Sequence, residues 1–365
     1  MFTNIEAKIG KETFPIIISN DAIKNLIYYL DNFKNKKNII VADKIFLDLK
    51  YMPDKNKTKI LNKYPTFFCS GGIKNKSIKN LYKILKFLHK KNTNKDTNLI
   101  AIGGGVIGDM TGFAASIYKR GINLIHVPTT MTSMVDSCVG GKTGINEFNQ
   151  VNLLGSYYQP NGIFIDPRFL ETLKKRDFKS GLVESIKKSI IYSDNFFNFL
   201  LNNYKEINNI NNSHVHRVIT ESIKIKLNLV QNDEKEKSTR LSLNYGHTFG
   251  QALESYYGIN ENYLTHGEAV SLGMICAAKL SKIFLKNDLI IKHKEILELY
   301  ELPTSLSFIN AVPKPSIQKL MTLINNDKKK KNERLRFIIC DQIGSFEVVI
   351  PKNENQIKKS FEIIL

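Results

Sequence analysis

The first half of the chain alternates short apolar runs with amphipathic stretches. Runs at residues 14–19, 38–42, 66–69, 99–102, 123–127 and 163–166 are too short for helices, and their apolar character predicts buried strands. Residues 21–33 and 77–90 carry apolar positions at helical spacing, and the small-residue run after Gly105 continues as a helix. Strands separated by helices of this length imply parallel strands joined by crossovers, an α/β domain built on a parallel sheet. From about Gly181 the rhythm changes. Helical patterns cover residues 182–201, 214–230, 248–257, 268–285, 290–300 and 316–324, while only 335–340 and 346–350 read as strands. A mostly α-helical second domain is therefore expected, with the boundary between residues 174 and 181, so that 1–178 and 179–365 form the two domains. A length of 365 residues favours two cores over one.

Composition narrows the picture without changing it. The first residues lack an apolar signal core, and the longest apolar stretch, 99–108, is far too short to span a membrane, so the cytoplasm is the expected location. Cys69, Cys138, Cys276 and Cys340 lie far apart with no paired spacing, which reads as free thiols. The formal charge is +19, but its lysines are scattered through asparagine-rich stretches with no nucleic-acid signature. No specific nucleic acid or membrane partner is expected, only salt-sensitive adsorption to polyanions and a bias towards anionic small molecules.

Candidate chemistry begins at "LIAIGGGVIGDMTGFAAS", an apolar strand followed directly by Gly103, Gly104 and Gly105 and then a helix. Glycines permit left-handed dihedrals and close backbone approach, and a helix start favours a phosphate. Gly103, Gly105 and Gly108 satisfy G-x-G-x-x-G, yet the motif lies late in the domain and no acidic residue ends the next strand, "LIHVPTT". The loop therefore reads as a phosphate site in another topology. Asp109 is either an early helix residue or a cofactor contact, and Asp43 either a ribose contact or a helix cap. The stretch "VPTTMTSMVDSCVGGKTGIN" mixes Thr129, Thr130, Ser133, Asp136, Ser137, Lys142 and Thr143 with Met131, Met134 and Val135, which ask for burial; a ligand-lined loop reconciles the two.

In the second half Glu184 and Lys187 are one helical turn apart, and His247 and His266 sit in glycine-rich surroundings. A carboxylate with two imidazoles is an acceptable catalytic zinc set, although separations of 63 and 19 residues match no compact motif. His89, His214, His216 and His293 occur in ordinary polar helices, and His126 reads as a packed strand residue.

Taken together, "GGGVIGDMTGFAASIYKRG", "VPTTMTSMVDSCVGGKTGIN", "NLLGSYYQP", "SGLVESIKKSII", "RLSLNYGHTFG" and "HGEAVSLGM" resemble, in order, the 3-dehydroquinate synthase family of the shikimate pathway. The resemblance implies an NAD-binding α/β domain, a helical metal-binding domain and a cleft that takes an anionic sugar phosphate. It places zinc or cobalt on Glu184, His247 and His266. It places NAD on Asp43, Lys76, the loop Gly104, Gly105, Val106, Ile107, Gly108 and Asp109, and on Thr129, Thr130, Lys142, Val151, Phe169 and Thr172. The substrate set is Asp136, Asn152, Lys187, Lys226, Arg240, Asn244 and Lys328 or Lys329. Arg120 is implied to reach the neighbouring site in a homodimer.

Four positions depart from the family pattern. Val151 replaces a lysine, Ile73 a glutamate, Lys188 a tyrosine, and Gln251 the second histidine of the G-H-T-x-G-H-A element. Gln251 cannot act as an imidazole acid or base, though its amide can donate to a substrate phosphate. Alternatives that stay open are a related cyclase with another product, a metal-dependent polyol dehydrogenase, and a degenerate binding protein.

Overall fold

The computed structural model describes residues 1–32, 36–48, 60–148, 150–258, 263–309, 313–331 and 335–365, the side chains of 326–331 excepted. The chain forms two compact units, Met1–Lys174 with Asn212–Glu236, and Lys175–Asn211 with Lys237–Leu365. The first segment of the first unit ends at Lys174, inside the expected boundary of 174–181, and one long helix, Asn212–Asn232, belongs to that unit as well. Val215, Ile219 and Ile223 are buried along it, and the helix packs against the first strand and the 133–137 turn. An amphipathic pattern announces a buried face but not which unit buries it.

In the first unit, β1 (Phe2–Ile9), β2 (Glu12–Ser19), β3 (Asn38–Asp43), β4 (Thr66–Cys69), β5 (Asn98–Gly103), β6 (Asn123–Pro128) and β9 (Gly162–Ile165) form one sheet in the order β1-β2-β9-β6-β5-β3-β4. Only β1 pairs antiparallel; the other neighbours are parallel, as the alternation with helices predicts. Register across β3, β5 and β6 is fixed at their starts. There Asn98 donates to Asn38 (2.8 Å) and Asn123 donates to Asn98 (3.1 Å), a ladder of three side chains at aligned positions. Behind it Ile39, Val41, Leu99 and Leu124 bury one sheet face against Leu81, Ile84 and Leu88 of α2 (Ile78–Lys90) and Ile107, Met110 and Ala114 of α3 (Gly105–Ile117). Helix α1 (Ala22–Asp31) packs on β2 and β9.

The hairpin β7 (Lys142–Glu147) and β8 (Gln150–Tyr157) stands as a separate sheet where a loop was expected. Its sequence hides it: β8 is exposed along most of its length and gives no buried run to read.

The second unit is mostly helical. Helices α4 (Lys175–Tyr192), α5 (His247–Tyr257) and α6 (His266–Leu285) carry its centre, with Asp194–Asn202, Ile290–Leu299 and Glu354–Phe361 around them. The single helix expected over 182–201 is broken at Ser193, whose extended backbone and hydroxyl cap the amide of Phe196. Helix α6 is buried on nearly every face, from Gly267 to Ser281. It lies against α5 through glycines: a Cβ on Gly273 would fall 2.0 Å from the carbonyl oxygen of Gly246. Gly246 is also left-handed (φ 76°), a turn that lets the chain enter α5 at His247.

All four cysteines are buried and free, in line with the sequence, and no helix among the described residues is long and apolar enough to cross a membrane. Two of the histidines placed in polar helices are instead buried. His216 accepts no exposure beyond 8% and lies 3.3 Å from the carbonyl oxygen of Ile18, and His293 is fully buried. Nδ1 of His293 donates to Leu289 O (2.8 Å), so Nε2 accepts from the Tyr245 hydroxyl (2.8 Å), which defines a neutral ring. Burial holds both His293 and the strand histidine His126 down at about 4. A depressed histidine pKa favours the fold where the ring is neutral in both states. That contribution is complete above about pH 6.5, the unfolded value, and is lost as the pH falls towards 4. The unfolding free energy is expected to drop across this window by about 3 kcal/mol per histidine, read from denaturation curves, and His293→Gln should flatten its share; a flat wild-type profile would refute the assignment.

Candidate active site

Glu184 and Lys187 face each other one turn apart on α4, Nζ to Oε2 at 2.5 Å, both almost wholly buried. The other carboxylate oxygen, Oε1, faces Nε2 of His247 at 3.6 Å and Nε2 of His266 at 3.8 Å. His247 opens α5 and His266 opens α6, so the glycine contacts that bring these helices together also bring the imidazoles together. One donor atom from each of the three residues falls within 4.8 Å of the others. The remaining ring nitrogens are held from behind: Nδ1 of His247 by Tyr245 O (3.2 Å) and Nδ1 of His266 by Glu254 Oε1 (3.0 Å). Orientation of this kind leaves Nε2 of both rings facing Glu184, as a ligating pair would require.

The electrostatics differ between the two rings. Burial, with Lys187 adding to it, holds His247 down at about 3, a neutral donor at working pH. Against the desolvation of its ring, Glu184 and Glu254 lift His266 to about 10. A cation held by these three donors would replace the proton that His266 carries between the two carboxylates. Glu254 was missed in the sequence, although it lies two helical turns after His247 and therefore on the same face of α5. Gln251 is exposed on that helix. Arg240 is buried in the 3-10 turn Thr239–Asn244, and Asn244 ends that turn. Lys328 and Lys329 lie outside the described side chains.

In the first unit the glycine loop works by close approach alone. Gly103, Gly104, Gly105 and Gly108 take no left-handed dihedral, contrary to one of the two expected roles. A Cβ on Gly103 would meet Ile107 at 2.7 Å, and one on Gly104 would meet Thr130 at 2.8 Å. Gly104 caps α3 without any side chain reaching its first amides, which leaves a helix start able to take an anion. Ile107 itself is a core residue, so only its backbone is available there.

Beside this loop buried Lys76 bridges two partners. Its Nζ lies 2.5 Å from Asp109 Oδ2 and also bonds Asn152 Oδ1. Burial raises the pKa of Asp109, and the Lys76 charge opposes that rise. The amide of Asn152 donates to Asn146 Oδ1 (2.9 Å), and the Asn146 side chain reaches the carbonyl of Ile73 (3.3 Å). Two of the departures, Ile73 and Val151, thus fall in one corner, and Val151 is exposed there. Asp136 pairs with Lys226 of the returning helix at 2.7 Å. Lys142 pairs with Glu236.

The other candidates are placed less suggestively. Asp43 caps the short turn that follows β3, accepting from the amides of Ile45 (3.2 Å) and Gly71 (3.4 Å). Thr129 is buried and its amide bonds Gly103 O (3.0 Å), while the Thr130 amide bonds Ser133 Oγ (3.0 Å). Phe169 packs edge-on against Phe46 at 5.5 Å, and the Thr172 hydroxyl donates to the carbonyl of Phe169 (3.3 Å). Arg120 is left-handed (φ 63°) in the turn after α3.

Residues 66–180 match the 3-dehydroquinate synthase N-terminal family and residues 181–330 the 3-dehydroquinate synthase C-terminal family. The chain is 36% identical to the 3-dehydroquinate synthase of Buchnera aphidicola subsp. Cinara cedri (strain Cc), over 97% of this chain and 96% of that one. It is 37% identical to that of Prochlorococcus marinus (strain MIT 9515), over 97% and 93%. Among solved structures, a 2-deoxy-scyllo-inosose synthase complexed with carbaglucose-6-phosphate, NAD+ and Co2+ shares the fold at a TM-score of 0.85 and 24% identity, with 100% of both chains covered. A 2-epi-5-epi-valiolone synthase from Streptomyces hygroscopicus subsp. jinggangensis 5008, with NAD+ and Zn2+ bound, gives 0.85 at 20% identity over 98% of each chain. Both family domains follow one another in order, and the relatives align almost from end to end across the residues that bring Glu184, His247 and His266 together: this chain belongs to the 3-dehydroquinate synthase family.

Proposed function

We propose that this chain converts 3-deoxy-D-arabino-heptulosonate 7-phosphate to 3-dehydroquinate and phosphate, by transient oxidation at C5, phosphate elimination, re-reduction and aldol closure, with NAD and one zinc or cobalt ion. The observation that carries the reading is the convergence of Glu184, His247 and His266 beside Lys187. One carboxylate and two imidazoles, each imidazole braced through its far nitrogen, form a donor set of the catalytic zinc type with a position open for substrate. Solved relatives in fold are described with NAD+ and with Co2+ or Zn2+, which supports the same pair here. When bound, the cation lowers the pKa of the C5 hydroxyl and the dinucleotide takes up and returns hydride.

The chain's own residues supply placement and charge. Glu184, His247 and His266 hold the cation, and Lys187 adds fixed positive charge where an alkoxide develops. In the first unit, the uncapped start of α3 with Gly104 and Gly105 receives the pyrophosphate, and Asp109, Thr129 and Thr130 line the same site. Lys226, Arg240 and Asn152 meet the substrate's carboxylate and hydroxyls, because guanidinium and ammonium groups suit a carboxylated sugar phosphate. Gln251 offers an amide donor to the phosphate instead of an imidazole. The first unit is the NAD-binding domain and also carries the substrate candidates Asn152 and Lys226, and the second is the metal-binding domain with Lys187 and Arg240, in a cytoplasmic homodimer in which Arg120 serves the neighbouring site.

Purified protein given NAD, zinc and the heptulosonate phosphate is expected to release phosphate and form 3-dehydroquinate, identified by mass spectrometry. Phosphate release with a different cyclitol would favour the related-cyclase reading. No release at saturating NAD and metal would overturn both.

A further inference from the structure

We infer that Arg176 is a positioning residue for His266, acting through Glu268; the inference rests on the metal reading above. Arg176 lies in the first turn of α4 and grips Glu268 with two bonds, Nε to Oε1 and Nη2 to Oε2, each 2.7 Å. The geometry is the bidentate fork that gives guanidinium–carboxylate pairs their directionality. Glu268 is at the same time half of a capping box: its Oε2 accepts from the Thr265 amide (2.8 Å), and the Thr265 hydroxyl accepts from the Glu268 amide (3.3 Å). His266 is enclosed in that box, as the first residue of α6.

A second contact, one turn further along α4, locks the same helix start. The Gly267 amide donates to Ser180 Oγ (3.1 Å), and a Cβ on Gly267 would fall 2.0 Å from the Ser180 carbonyl oxygen. Glu184 is the next turn of α4 beyond Ser180. The start of α6 is therefore fastened to the segment of α4 that leads directly to Glu184, at Arg176 and at Ser180. The side chain of His266 is 46% exposed, so core packing does little to set its position. Glu254 orients the ring through Nδ1, while the backbone that carries His266 is placed at the helix start, which Arg176 holds through Glu268. The fork joins Arg176 to Glu268 and not to a donor residue, so its role through that contact is positional.

The experiment measures cobalt affinity by chelator competition and the cobalt ligand-field spectrum, with the unfolding temperature of the metal-free protein read alongside. Arg176→Ala is expected to weaken cobalt binding about 10-fold to 100-fold, the usual scale for losing support behind a ligand, and to shift the spectrum. Arg176→Lys should recover part of the affinity. Glu268→Gln, which keeps an oxygen for the Thr265 amide but loses the charged fork, should fall between them and carries the test if the alanine variant does not fold. A lowered unfolding temperature with unchanged cobalt affinity and spectrum in these variants would mean a brace without bearing on the site, and would overturn the inference. A wild-type chain that takes up no cobalt would overturn the metal reading and this one with it.

Discussion

His266→Ala is expected to lose its metal and its turnover together, with turnover down by about three orders of magnitude or more, since several kcal/mol of transition-state stabilisation leave with the cation. The reason lies in the number of donors. Three protein ligands leave no surplus, and the described donors within reach are Glu184, His247 and His266 alone. Glu254→Ala provides the contrast. Glu254 touches only the far nitrogen of His266, so its loss should lower metal affinity by about 10-fold to 100-fold while stoichiometric metal can still be loaded. Elemental analysis, chelator titration and circular dichroism separate the outcomes. Stoichiometric, tightly held zinc in a folded His266→Ala protein would remove this residue from the ligand set.

Lys76→Met is expected to destabilise the first unit by about 3 kcal/mol and to weaken NAD binding in the same variant. Lys76 is 7% exposed and its partner Asp109 21%, so each charge is left with little water when the other is removed. Burial already pushes the Asp109 pKa up, with Lys76 opposing. Without the ammonium, Asp109 must either stay charged at a cost or take up a proton, and Asn152 loses the donor that holds its side chain. Removing both charges, Lys76→Met with Asp109→Asn, should be milder than Lys76→Met alone, because a lone buried charge costs more than an absent pair. Urea denaturation and calorimetric NAD titration report the two effects. A single variant no less stable than the double would show that the pair contributes no such coupling.

The parallel sheet was legible because β3, β5, β6 and β9 are buried on both faces and so read as continuous apolar runs. Strand β1 alternates buried and exposed positions only at its end, and β8 lies almost wholly in the open, so neither left a pattern. The candidate residues were legible chiefly through motif order. Spacing alone had no means of joining Glu184, His247 and His266, because their approach depends on helix contacts through Gly246, Gly267 and Gly273 that are made in space. Glu254 was within reach of helical periodicity. Arg176 and Glu268 were not: 92 residues separate them, and only the folded capping box shows why they meet.

The return of Asn212–Asn232 to the first unit bears on how this protein is made. A ribosome delivers the sheet long before it delivers the helix that covers β1 and supplies Lys226 to Asp136, and must first pass through the beginning of the second unit. Folding by whole units in order of synthesis is therefore closed to this chain. The first unit waits for residue 236 with apolar surface uncovered, the second waits for its remainder, and a fragment ending at residue 178 would carry the full sheet without the helix that covers β1 and be prone to aggregation, instead of forming a free-standing nucleotide-binding module.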